Sequence, residues 1–162
     1  MKPAAFQYHA PTPIDEAVSL LADVAPEGGR VLAGGQSLVP TMAFRLAQPG
    51  HLIDINGIDE LDRIAVDGDT LSIGACVRHA AFHQPVTDGP LGDLLSTVVR
   101  NIAHYPIRMR GTFCGSLAHA DPSSEWCAVA ATLDAMMVAR SAAGERTIAA
   151  AAYFAGPMMT TL

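Results

Sequence analysis

Two stretches of the chain concentrate residues suited to holding an anion. In the first, "VLAGGQSLVPTM", an apolar run enters Gly34 and Gly35, continues into Gln36 and Ser37, and leads to a second amphipathic segment. Adjacent glycines leave main-chain N–H groups open to approach, and a helix starting just beyond them adds a dipole that favours a phosphate. Ser37 adds a hydroxyl. The run is neither a Gly-Lys-Ser/Thr phosphate loop nor GxGxxG. Taken alone it reads equally well as a tight strand-to-helix turn. The second stretch, "RGTFCGSLAHADP" at residues 110–122, gathers Gly111, Thr112, Gly115 and Ser116 behind Arg108 and Arg110. Two such loops from different parts of the chain could clasp one diphosphate, with main-chain dipoles carrying much of the compensating charge.

Other chemistries find less support. Ser37, Ser116 and the histidines do not fall in a GxSxG nucleophile elbow. His104, His119, Cys114 and Cys127 lack CxxC or HxxxH spacing, which points to packing and loop hydrogen bonds rather than zinc. The three cysteines are odd in number and widely spaced, a pattern of reduced thiols. The net charge of −6 with few Lys and Arg argues against a nucleic-acid surface, where phosphate neutralisation supplies most of the affinity. Half of the 162 residues are hydrophobic, which argues against disorder. No apolar run approaches the roughly 18 residues of a membrane helix. "MKPAAFQYHAPTP" lacks the apolar core of a secretory signal. A cytoplasmic protein without a membrane span is expected.

The elements that must position the two loops follow from periodicity and punctuation. "TPIDEAVSLLADV" predicts a helix with Thr12 as N-cap, Pro13 at its first position, and Asp15 and Glu16 in its first turn. "RVLAG" reads as a short buried strand and "HLIDI" as another short strand, around a helix over "SLVPTMAFRLA", so residues 1–56 read as a small α/β unit with a parallel sheet. From residue 57 the texture changes. "DRIAVDGDTLSIGAC" predicts a hairpin at Asp67-Gly68-Asp69, and "PLGDLLSTVVRNIA" a helix with Leu91, Leu94, Leu95, Val98, Val99 and Ile102 on its apolar side. "MRGTFCGSLAHADPSSEW" reads as loop-rich and "SSEWCAVAATLDA" as a helix capped by Ser123 or Ser124. "MMVARSAAGERTIAA" reads as a hairpin turning at Ala143-Gly144. Trp126, Met136 and Met137 are expected in the core.

"AGGQSLVPTM", "LIDINGIDEL" and "IRMRGTFCGSLAHADPSSE", in this order and spacing, resemble the FAD-binding, medium subunit of molybdenum hydroxylases, the carbon monoxide dehydrogenase and xanthine dehydrogenase relatives. The resemblance implies an α+β, vanillyl-alcohol-oxidase-type FAD-binding fold, with the N-terminal α/β subdomain (1–56) followed by a mixed α+β subdomain (57–162). It maps the first diphosphate loop onto Ala33, Gly34, Gly35, Gln36 and Ser37. The second falls on Thr112, Phe113, Cys114, Gly115 and Ser116. An acidic contact near the adenosine end falls on Glu125, with Asp121 second. The implied cofactor is FAD. Molybdopterin and [2Fe-2S] clusters would lie on partner molybdopterin-binding and iron–sulfur subunits, and electrons would pass from the clusters through this subunit to an external acceptor. Two departures stand out. Cys114 replaces the first glycine of the family's usual pair, which predicts crowding of the cofactor and, if that position needs positive φ, strain on the order of 1 kcal/mol. The family's C-terminal domain, which helps cover the flavin ring, is expected to be absent, the sequence reading as a fragment or a naturally truncated subunit. A truncated docking module without flavin is therefore the alternative expectation.

Overall fold

Three short parallel strands organise the first third of the chain in the computed structural model, which describes residues 2–162. β1 (Gln7–His9), β2 (Arg30–Leu32) and β3 (His51–Asp54) lie in the order β1-β3-β2. The central strand is buried at its first three positions, as a strand flanked on both edges requires. α1 (Ile14–Val24) covers one face, packing Ala17 with Ile53, Ile55, Ile58 and Cys76. It starts one residue later than expected. Pro13 takes the N-cap position with an extended backbone and Thr12 provides no cap. β1 was not legible in sequence because Gln7, Tyr8 and His9 carry no apolar alternation. α2 (Leu38–Ala43) is shorter than its pattern suggests, ending where Arg45 turns to φ 58°.

The remainder mixes helices with antiparallel hairpins, so the fold is α+β as expected. β4 (Ile64–Asp67) and β5 (Thr70–Ile73) pair through Gly68, at φ 56°, and Asp69. α3 (Gly89–Val98) and α4 (Tyr105–Arg108) follow, then α5 (Phe113–His119) and α6 (Glu125–Thr132). β6 (Met136–Ser141) and β7 (Gly144–Ala149) form the second hairpin. The chain ends in α7 (Ala150–Tyr153) and the small β8 (Phe154–Gly156) and β9 (Met159–Thr160) pair. Trp126 is fully buried at the heart of this part, its ring 4.7 Å from Phe113 and 5.2 Å from Phe82 between centroids. Tilted pairs at such separations each contribute about 0.5–1.5 kcal/mol beyond area burial.

Several local expectations are corrected. Residues 113–119 form a helix, because Thr112 accepts a hydrogen bond from the Gly115 N–H and so satisfies an orphan donor of the first turn. The second hairpin turns at Ala142–Ala143, with Ser141 paired to Gly144. Met136 is exposed, since it sits on the outer face of a two-stranded hairpin with nothing packed over it, whereas Met137 packs inward. Leu94 lies at the solvent edge of α3. Ser124 occupies the N-cap of α6 but makes no side-chain capping bond.

Candidate functional site

The glycine loop after β2 and the segment leading into α5 line one cleft of about 710 Å³. Ala33, Gly34, Gly35, Gln36 and Ser37 form one wall; Gly111, Thr112, Gly115 and Ser116 form another. The glycines make this meeting possible. A Cβ on Gly34 would lie 2.5 Å from the Arg110 carbonyl oxygen and 2.6 Å from Gly111 Cα. The two loops therefore touch backbone to backbone, and only a hydrogen fits between them. Gly35 serves differently, holding φ at 69° for the turn into α2. Gly111 lies against the His79 ring, where a Cβ would come 2.5 Å from Nε2.

Polar contacts fix the loops from behind. Asn56 donates to the Ala33 carbonyl (2.8 Å) and accepts from Arg78 Nη2 (2.6 Å). Arg78 Nη1 donates to the Arg110 carbonyl. Asp54 anchors Asn56 through two bonds and accepts from the Tyr8 hydroxyl at 2.5 Å. Burial pulls the Asp54 pKa up, but bonds from Tyr8 and Asn56 and the Arg78 charge outweigh it and hold the carboxyl below its ordinary value. His79 lines the cleft, and its Nδ1 accepts from the buried Trp126 Nε1 at 2.9 Å. An indole nitrogen only donates, so the neutral ring carries its proton on Nε2. Burial, then the Arg108 and Arg78 charges, push its pKa down to about 4. At neutral pH it is an uncharged donor. Nothing in the local sequence around His79, Asn56 or Arg78 marks these roles, because each depends on partners far along the chain.

The sequence-derived residues divide into two groups. Those at 33–37, Thr112, Gly115, Ser116, Glu125 and Asp121 all border the cleft. Phe113 and Cys114 turn into the core instead. Phe113 stacks on Trp126. Cys114 has no positive φ and its thiol faces the Ile73 and Gly74 carbonyls, so neither the expected strain nor the expected crowding is present. Burial pushes that thiol up to about 11. Arg108 braces the rim, donating to the Ile102 and Ala103 carbonyls and to His83. Arg110 contributes its carbonyl. His119 borders the cleft and makes no side-chain hydrogen bond among the described residues. Asp121 accepts from the Ser123 N–H and hydroxyl, which hold its pKa below the ordinary value.

Residues 4–162 match the family described as the FAD binding domain in molybdopterin dehydrogenase. The chain belongs to this family. Among relatives, the nicotine 6-hydroxylase medium subunit of Paenarthrobacter nicotinovorans is 41% identical over 162 residues, covering all of this chain and 56% of that protein. Caffeine dehydrogenase subunit beta from a Pseudomonas species is 39% identical over 163 residues, covering 100% of this chain and 55% of its own length. A solved structure of carbon monoxide dehydrogenase from Hydrogenophaga pseudoflava, in a form lacking the Mo-pyranopterin moiety, superposes with a TM-score of 0.94 at 40% identity, over 100% of this chain and 56% of that one. The chain thus spans a little over half the length of the relatives it matches.

The cleft suits the cofactor of the FAD-binding family. The N–H groups of Gly34, Gly35, Gln36 and Ser37 donate to no protein acceptor among the described residues, so four donors stand free on a wall without bulky side chains. Ser37 and Ser116 hydroxyls and His79 Nε2–H add neutral donors along the same cleft. Backbone donors of this kind suit a diphosphate. The acidic residues Glu125 and Asp121 lie elsewhere on the lining and suit hydroxyl donors rather than phosphate. Among the described residues, no helix is long and apolar enough to cross a membrane.

Proposed function

We propose that this chain holds FAD within an electron-transfer subunit of a molybdenum hydroxylase complex. It would receive electrons from iron–sulfur clusters on one partner, downstream of a molybdopterin-binding partner, and deliver them to an external acceptor. One observation carries the reading: two side-chain-poor loops, nearly 80 residues apart in sequence, border the same cleft, and the first leaves the N–H groups of Gly34 to Ser37 unpaired along it. Relatives named as a medium subunit and a subunit beta support a heteromeric assembly. Bound FAD would supply the redox chemistry. The chain's own residues bind and orient: residues 33–37 with Thr112, Gly115 and Ser116 at the diphosphate, His79 as a neutral donor, and Glu125 toward the adenosine end. Phe113 and Cys114 act from the core, by seating α5. We place the division between the two parts at 56/57 and the complex in the cytoplasm.

Reconstitution tests the proposal. The purified chain, supplied with FAD, is expected to show flavin absorbance after desalting and a raised melting temperature. A colourless protein whose melting is unchanged refutes flavin binding by this chain. If that protein still co-purifies with an iron–sulfur partner, the docking-module reading replaces it.

A further inference from the structure

We infer that Arg78 is a positioning residue that locks the two loops at a fixed separation, with Asn56 as its relay. The inference rests on the cleft being the FAD site. Arg78 stands where three structural threads meet. Its own backbone is tied to the second loop by an antiparallel bridge to Thr112, through the His79 N–H to Gly111 carbonyl bond (2.9 Å) and the Phe113 N–H to Val77 carbonyl bond (3.0 Å). One guanidinium arm donates to the Arg110 carbonyl, immediately before Gly111. The other reaches Asn56, whose amide holds the Ala33 carbonyl, immediately before Gly34. The carbonyls that precede the two touching glycines are thus joined through one guanidinium and one amide.

The residue types suit this task. A guanidinium is a planar fork whose separate nitrogens can serve two acceptors at once, whereas an ammonium is a single point donor. Asn56 must donate and accept together, which a carboxamide does and a carboxylate does not. Asp54 and Tyr8 continue the chain of bonds into the parallel sheet, so the relay is itself held by a buried strand. Arg78 does not border the cleft. Its influence on a ligand therefore runs through loop spacing rather than through a direct ion pair.

The test uses the full chain with FAD and FMN as probes. FAD carries the diphosphate that both loops would face; FMN carries one phosphate. Losing two net hydrogen bonds, Arg78→Ala is expected to weaken FAD binding roughly tenfold or more, followed by quenching of flavin fluorescence. FMN binding is expected to change much less. Asn56→Ala, which leaves the arginine charge in place, is expected to give the same selective loss, and Arg78→Lys to restore little. Equal losses for FAD and FMN, or an unaltered Asn56→Ala protein, overturn the inference. Wild-type protein that binds neither flavin refutes the FAD reading instead. Amide exchange then decides the clamp without a ligand: Arg78→Ala is expected to speed exchange at both the Val39 N–H, bonded to Gly35 of the first loop, and the Gly115 N–H, bonded to Thr112 of the second. Acceleration at only one of them, or at neither, refutes it.

Discussion

Gly34→Ala isolates the contact between the loops, because this glycine does not occupy the left-handed region and an alanine there meets no backbone penalty. The added Cβ would lie 2.5 Å from the Arg110 oxygen and 2.6 Å from Gly111 Cα. Both are main-chain atoms and cannot rotate away. Restoring ordinary contact requires the loops to part by about 0.9 Å, against the hydrogen bonds through Asn56 and Arg78 that hold them. Overpacking of this kind costs about 1–3 kcal/mol. For a chain of this size a loss of ~2 kcal/mol lowers the melting temperature by about 4–8 °C. FAD affinity is expected to fall as well, since the two walls no longer face one diphosphate at the right distance. Gly35→Ala is the control. It incurs left-handed strain of ~1–2 kcal/mol, but its Cβ meets only side-chain ends of Val39 and Leu32 at 3.1 and 3.2 Å, so the loop spacing survives. Scanning fluorimetry and flavin titration on both variants provide the readout. A Gly34→Ala protein that melts and binds FAD like wild type would refute the claim that the loops are fixed in contact.

Acid sensitivity should centre on His79. Its pKa is about 4 folded against the ordinary histidine value of 6.5, so the unfolded chain takes up a proton that the native one refuses. Stability is then intact above about pH 6.5 and declines as pH falls toward 4, by roughly 3 kcal/mol in full. Urea melts across that window should show this fall, and His79→Gln should flatten it. The Cys76 and Cys114 thiols, both pushed up to about 11 by burial, should react slowly with a disulfide reagent at pH 8 until the protein is unfolded. Rapid native labelling at either position would contradict their placement. Cys114→Gly should lower stability by about 1 kcal/mol, mainly through the lost packing of its side chain against the core with a smaller helix-propensity cost, without raising FAD affinity. A gain in affinity would show that the thiol does crowd the cleft.

Local pattern made much of this architecture legible. β2 and β3 read as short strands from "RVLAG" and "HLIDI", and the β4–β5 hairpin reads from the Asp-Gly-Asp turn; the burial expected of β2 falls instead on β3, because β2 is a sheet edge with Arg30 and Val31 exposed. The loops at 33–37 and 110–116 stand out because small residues cluster there. Their shared cleft could only be suspected, since it depends on how two packing units meet. α5 was missed because glycine, serine and cysteine lower local helix propensity; a threonine cap and the burial of Phe113 and Leu117 override it. Reading the glycines as making room for a ligand was incomplete. Gly34 makes room for the other loop. Asn56, Arg78 and His79 escaped notice because a lone polar residue announces a hydrogen bond only when its partner, 22 to 47 residues away, is in view.

One wall of the cleft grows from the apolar cluster around Ile53, the other from the cluster around Trp126. A ligand gripping both walls acts as mass action on the whole molecule rather than on one lobe: at a hundred times its dissociation constant it adds about 2.7 kcal/mol to global unfolding. Occupancy and cooperativity become one quantity, so saturation should merge any separate melting of the lobes into a single transition.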